Sequence, residues 1–254
     1  MNKPRYSSYM ICTSPRSGST LLCALLKKTG RAGAPDSHFH APSISRWIED
    51  YRLSTQPAKP RTEALRSVFA SAIERGKGGT EMFGLRMQRG SFPYFIEQIG
   101  YLVADCANDI ERIQTAFGPT LFVHLHRADK LAQAVSRVVA EQSGLWHRAA
   151  DGTELERLAA PGELHFDRQT IARHMAEFAS MDSAWEDWFA LEGVKPWRIS
   201  YDELAKDPQG TLARLLAVLG LDPRQARRIE TPTARLADAT SKAWIERFRK
   251  LNAE

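Results

Sequence analysis

Arg16, Ser17, Gly18, Ser19 and Thr20 follow one another directly. Together they supply a forked, permanently charged donor, a residue free to turn, and hydroxyl groups. That combination suits an anion. The flanks strengthen the reading. Tyr9 to Thr13 is a short apolar run that reads as a buried strand, and Thr20 to Lys28, TLLCALLKK, reads as a helix. Leu21, Leu22, Leu25 and Leu26 form the apolar stripe of that helix, and Gly30 follows as a stop signal. A loop between strand end and helix start presents unpaired N–H groups and the positive end of the helix dipole to a ligand. The stretch is not the triphosphate loop G-x-x-x-x-G-K-[ST], since its lysine and first glycine are missing. The plain alternative is a serine-rich helix cap with no ligand.

A second cluster lies in HLHRADKLAQAVSR. Arg127 falls at the end of the predicted strand 120–127, on the same rim as the first loop, and Ser136 lies nine residues on, within the next helix. A serine inside a helix is ordinarily neutral packing. Paired with the arginine it is a candidate holder of a second phosphate, and spacing alone leaves both readings open. His124 and His126 share one face of the same strand. They read as core or rim imidazoles, with an approach to the bound anion as the alternative, because ICTS and VHLH are expected to be neighbouring strands.

These groups need a frame. Further strands are expected at 80–87 and 195–200, with helices over 62–76, FPYFIEQI, NDIERIQTAF, 129–141 and a long helix through Trp185, Trp188 and Phe189, whose rings read as core. Strands alternating with helices predict an α/β fold, a central parallel sheet flanked by helices, in a single domain over 1–254. Ligands of such sheets bind beyond the carboxyl ends of the strands. Residues 31–62 are rich in Pro, Ser, Gly and His and form an irregular excursion, with SRWIEDYRL as its only helical island.

Composition narrows the function further. The chain has 254 residues, 43% of them hydrophobic, and a net charge of +5. That modest excess suits a small anionic ligand, and no dense basic run with interleaved aromatics argues for nucleic acid. No apolar run is long enough for a membrane span, and no signal peptide is visible. Cys12, Cys23 and Cys106 make neither a C-x-x-C pair nor a zinc spacing, which suits the reducing cytoplasm.

TSPRSGSTLL, HLHRADKLAQAVSR and RISYDEL, in that order, resemble the PAPS-dependent sulfotransferases, with the P-loop nucleotide-triphosphate-hydrolase-like fold of that family. The resemblance is closer to the bacterial, trehalose 2-sulfotransferase-like (Stf0-type) branch, where GRAGAPDSHFH and RLADATSKAWIERFR occupy the places of two further motifs. It implies transfer of a sulfuryl group from 3′-phosphoadenosine 5′-phosphosulfate to a hydroxyl of a carbohydrate or glycolipid. It places Arg16, Ser17, Gly18, Ser19 and Thr20 around the 5′-phosphosulfate, Arg127 and Ser136 on the 3′-phosphate, and Arg235 over the nucleotide. Arg86 stands where the branch has a lysine and is expected to face donor or acceptor. Sulfuryl transfer has no γ-phosphate to clamp, so fixed cations such as Arg16 and N–H donors suffice and no metal is required. The resemblance also implies a homodimer, with SGLWHRAADG near the interface.

One departure matters. The branch is thought to use a glutamate as base, and the aligned position here is Ser37. Its titratable neighbours Asp36, His38 and His40 become the candidate bases, with His124, His126 and Glu81 as outliers. Ser37, Arg86 and Trp47 are the candidate acceptor-side residues. Two competing readings are a P-loop kinase-like phosphotransferase, which the missing lysine weakens, and a non-catalytic nucleotide-binding homologue, which the missing glutamate favours.

Overall fold

The computed structural model describes residues 5–53, 60–148, 152–230 and 239–252. In chain order the elements are β1 (Ser8–Thr13), α1 (Ser19–Lys28), α2 (Ile44–Asp50), α3 (Arg61–Lys77), β2 (Phe83–Gln88), α4 (Phe92–Gly100) and α5 (Asp109–Phe117). There follow β3 (Thr120–His126), α6 (Lys130–Ser143), β4 (Leu145–Arg148), β5 (Glu154–Arg157) and α7 (Arg168–Leu191). The chain continues through β6 (Trp197–Ser200), α8 (Tyr201–Lys206), α9 (Pro208–Leu219), a 3-10 turn (Pro223–Arg228) and α10 (Ala239–Leu251).

The main sheet has the order β2-β1-β3-β6, with every pairing parallel. β1 is central, and all of its residues are buried. Alternation along the strands divides the core into two faces. Met10, Cys12, Leu85, Met87 and Phe122 point to one side and meet aromatic rings from α3, α4, α5 and α7, among them Phe69, Phe95, Phe117 and Trp185. Tyr9, Ile11, Leu121, Val123, Leu125 and Ile199 point to the other and meet leucines of α1 and α9. A smaller cluster joins α6, α7 and α10 through Val135, Val138, Phe178, Trp244 and Phe248. β1 and β3 are neighbours in the expected way, Cys12 opposite His124.

The boundaries differ for local reasons. β2 starts at Phe83 rather than Thr80, because Gly78 and Gly79 take left-handed turns and Thr80 donates to the Lys77 carbonyl at 2.8 Å before pairing begins. The excursion is less irregular than its composition implies. Ser43 caps α2 by accepting from the Arg46 N–H, Asp36 bridges to Leu85, and Phe39, Trp47 and Tyr51 are buried. The antiparallel pair β4–β5 was not expected; a four-residue strand of mixed polarity carries little periodic signal. Among the described residues no helix is long and apolar enough to cross a membrane.

Candidate active site

The loop after β1 is held from beneath. Ser14 Oγ donates to Asp182 Oδ1 at 3.1 Å and accepts from Gln133 Nε2 at 3.0 Å, and the same amide donates to the Pro15 carbonyl at 2.6 Å. Asp182 also pairs with Lys130. The Trp185 indole N–H donates to the Thr13 carbonyl at 3.0 Å. Thr13 Oγ1 donates to the Leu125 carbonyl at 2.8 Å, so the Ser17 hydroxyl, in contact with it, supplies the proton of their mutual bond. Ser17 is therefore fully buried, and its side chain braces the loop rather than facing a ligand.

Two residues turn this loop through left-handed backbone, Arg16 at φ 62° and Gly18 at φ 88°. The conformation is unusual for an arginine and costs roughly 1–3 kcal/mol. At Gly18 a Cβ would stand 2.7 Å from the Tyr201 ring, so both the turn and the close approach require glycine. The first bond of α1 runs from the Leu22 N–H to the Gly18 carbonyl at 3.2 Å. The N–H groups before it belong to the orphan set of a helix start.

Arg16, turned outward, donates from Nε to Ser136 Oγ at 3.1 Å and from NH1 to the Trp146 carbonyl at 2.7 Å. Arg127 donates to the Arg16 carbonyl at 3.4 Å and lies 4.3 Å over the Tyr201 ring. Arg137 lies 4.7 Å over the Trp146 ring. Burial first, then the charges of Arg127 and Arg137, hold the Arg16 guanidinium down to about 10. Cations crowded and desolvated in this way form a site whose electrostatic cost an incoming anion relieves. The residues thus fit a nucleotide carrying phosphates at both ends of its ribose. They surround a cavity of about 610 Å³ that runs from Ser19 and Thr20 past Ser136 to Tyr201 and Lys242.

Arg86, also in the cavity lining, joins the loop after β1 to the excursion. It donates from Nε to Ser37 Oγ at 2.8 Å, from NH1 to Thr20 Oγ1 at 3.0 Å, and from NH2 to Asp36 Oδ1 at 3.0 Å. Ser37 and His40 line the cavity. His38 does not. Its ring stacks near Phe83 and reaches the Ala34 carbonyl at 3.2 Å, and burial pushes it below its usual range. Asp36 lies just outside the cavity, tied to Arg86 and to the Ser37 N–H. Trp47 is removed from the acceptor surface. It is 1% exposed and packs edge-on against Phe39 and Tyr94, because Ile44, Trp47, Ile48 and Tyr51 form the inner stripe of α2.

The outlying base candidates are also placed elsewhere. His124 and His126 stack on each other on the α7 side of β3, His124 within 3.0 Å of Glu186. Burial, then His126, pushes the His124 ring down. Glu81 precedes β2, at the end of the sheet away from the loop. Arg235 lies outside the described residues. Residues that sequence reasoning passed over now line the cavity: Trp146, His147 and Glu156 from the β4–β5 pair, Tyr201 from α8, and Lys242 from α10. WH in SGLWHRAADG was the available signal for the first two.

The family profile described as Stf0 sulphotransferase matches residues 8–251. Trehalose 2-sulfotransferase of Mycolicibacterium smegmatis (strain ATCC 700084 / mc(2)155) is 26% identical over 261 residues, spanning 96% of this chain and 95% of its own. Trehalose 2-sulfotransferase of Mycobacterium tuberculosis (strain ATCC 35801 / TMC 107 / Erdman) is 26% identical over 259 residues, spanning 95% and 94%. Among solved structures, a sulfotransferase from Alicyclobacillus acidocaldarius aligns with a TM-score of 0.44 at 15% identity, covering 99% of this chain and 93% of that one. The sulfotransferase domain of the Synechococcus PCC 7002 olefin synthase aligns with a TM-score of 0.41 at 16% identity, covering 98% and 96%.

Proposed function

Since the chain belongs to the Stf0 sulphotransferase family and is a PAPS-dependent sulfotransferase, we propose that it sulfates a hydroxyl of a carbohydrate or glycolipid acceptor. The named activity of the two trehalose 2-sulfotransferases supports a sugar acceptor. In this reading Arg16 and the N–H groups from Ser17 to Thr20 hold the 5′-phosphosulfate, with the hydroxyls of Ser19 and Thr20 as further donors. Arg127 and Ser136 take the 3′-phosphate, and Arg235 completes the nucleotide side. The acceptor enters past Ser37, His40 and Arg86.

The observation that carries the reading is the Arg16–Ser136 bond beside Arg127, which joins the two sequence clusters in one cavity. As the acceptor oxygen attacks sulfur, the S–O bond to the 5′-phosphate breaks and negative charge collects on the departing oxygen. A fixed guanidinium and oriented N–H groups stabilise that charge without reorganising. No step calls for a metal ion.

The enzyme works as a single domain in the reducing cytoplasm, a reading that the free thiols of Cys12, Cys23 and Cys106 support. It works as a homodimer. Leu158, 67% exposed at the mouth of the cavity, supports an interface there. Two measurements test the whole. Isothermal titration should give tight binding of 3′-phosphoadenosine 5′-phosphate without magnesium. Labelled sulfate should pass from PAPS to at least one member of a disaccharide and glycolipid panel. Donor binding with no transfer to any member would sink the proposed acceptor class. Sedimentation as a monomer at micromolar concentration would remove the dimer.

A further inference from the structure

We propose that His147 is the group that takes the proton from the acceptor hydroxyl, a role that replaces the acid missing at Ser37. The proposal rests on sulfotransfer to a hydroxyl, as argued above. His147 lies on β4, facing the cavity, with Nε2 at 3.1 Å from Thr20 Oγ1 in the donor loop. Thr20 Oγ1 already accepts from Arg86 NH1. Its own proton is therefore free to go to His147, which makes Nε2 an acceptor whose single lone pair is held by the Thr20 hydroxyl until a ligand draws that hydroxyl away. Of the candidates around Ser37, His38 faces the core and Asp36 is committed to Arg86. His40 lines the cavity beyond Ser37, its carbonyl accepting from Ser91 Oγ at 2.5 Å. His147 is the imidazole in direct contact with the loop.

The charged groups around the ring fit a reversible proton acceptor. Burial first, then the charges of Arg16 and Arg86, pushes the imidazole down to about 4. It is therefore neutral before the donor arrives. Binding of the donor anion sets negative charge against both arginines and draws the Thr20 hydroxyl toward a phosphosulfate oxygen. Both changes raise the basicity of Nε2 and clear its lone pair. Glu156 Oε2 stands 3.2 Å from the same nitrogen, ready to pair with the imidazolium.

The step balances. The acceptor oxygen forms its bond to sulfur, and the S–O bond to the 5′-phosphate breaks with its electron pair on the leaving oxygen. The hydroxyl proton moves to His147 Nε2 and later to solvent.

The test has two arms. In the first, the His147 resonance, assigned by its loss in His147→Gln, is titrated by NMR with and without saturating 3′-phosphoadenosine 5′-phosphate. The expected result is a rise by at least about one unit with the nucleotide bound. An imidazole that titrates identically in both states overturns the proposal. Failure of the nucleotide to bind at all would instead indict the donor-site reading. In the second arm, sulfate transfer from PAPS to trehalose and a disaccharide panel is compared for wild type, His147→Gln and His40→Gln. His147→Gln is expected to lose about 100-fold or more in kcat at unchanged nucleotide affinity, while His40→Gln loses far less. The reverse ranking also overturns it. If wild type sulfates no sugar, the acceptor class falls and the NMR arm still decides the role of His147.

Discussion

Arg127 reaches across the strand ends with its guanidinium over the Tyr201 ring and one arm on the Arg16 carbonyl. Those contacts preset the side chain for the phosphate proposed above, since it is already ordered before ligand arrives. Arg127→Ala should weaken 3′-phosphoadenosine 5′-phosphate by roughly 1.5–3 kcal/mol, the worth of a charge-assisted contact. Isothermal titration reads this directly, and unchanged affinity would remove Arg127 from the phosphate site. Trp47 makes the opposite case. Its ring is enclosed by Phe39 and Tyr94, so Trp47→Ala should cost about 3–5 kcal/mol of stability. Denaturant melts check the loss, and an acceptor KM that rises with no loss of stability would restore its surface role.

At the scale of elements, α6 does most to position the site, because Ser136 and Arg137 project from it into the cavity. Its start is fixed by Asp129, which accepts from the Ala132 N–H at 2.8 Å. Asp129→Ala should lower stability by about 1 kcal/mol, seen as a lower Tm, and leave nucleotide affinity nearly unchanged. A large loss of affinity would mean that the cap, and not packing on α7, holds Ser136 in place. The inner strands β1 and β3 were legible because they are buried on both faces and read as apolar runs. The donor loop was legible because its chemistry is contiguous. The β4–β5 pair was not, since its short strands mix charge with apolar side chains and owe their order to partners far away in sequence, Arg16 and Thr20. For α2 the helix was legible in SRWIEDYRL, but the inward turn of Trp47 was not, because the Pro- and Ser-rich surroundings gave no sign that the helix packs on the core. The position of His147 beside Thr20 lies wholly in tertiary structure.

For the molecule as a whole, His38, His124 and His147 share one property: burial pushes each below its usual range. Below about pH 6.5 the unfolded chain binds protons on these rings that the folded chain does not. Unfolding then gains free energy as pH falls, so stability declines from there, the His147 contribution running down to about 4. Carboxylates with lowered values, Glu141 and Glu186 among them, add their loss at the acid end. Thermal melts between pH 7 and pH 4 should show a falling Tm, with part of the loss recovered when nucleotide is bound. A flat profile would mean that these rings are protonated alike in both states.

Arg86 has a consequence for the order of events. One guanidinium holds Thr20, on the side proposed for the donor, and Ser37 and Asp36, on the side proposed for the acceptor. A ligand that engages Thr20 alters the bonds left to the excursion, and a ligand at Ser37 alters those left to Thr20. The two half-sites then share a coupling free energy, and linkage makes it the same in both directions. Whatever factor nucleotide imposes on acceptor affinity, acceptor must impose on nucleotide affinity. Under the proposed assignment, three side-chain bonds would make the two substrates effectors of each other across a single residue.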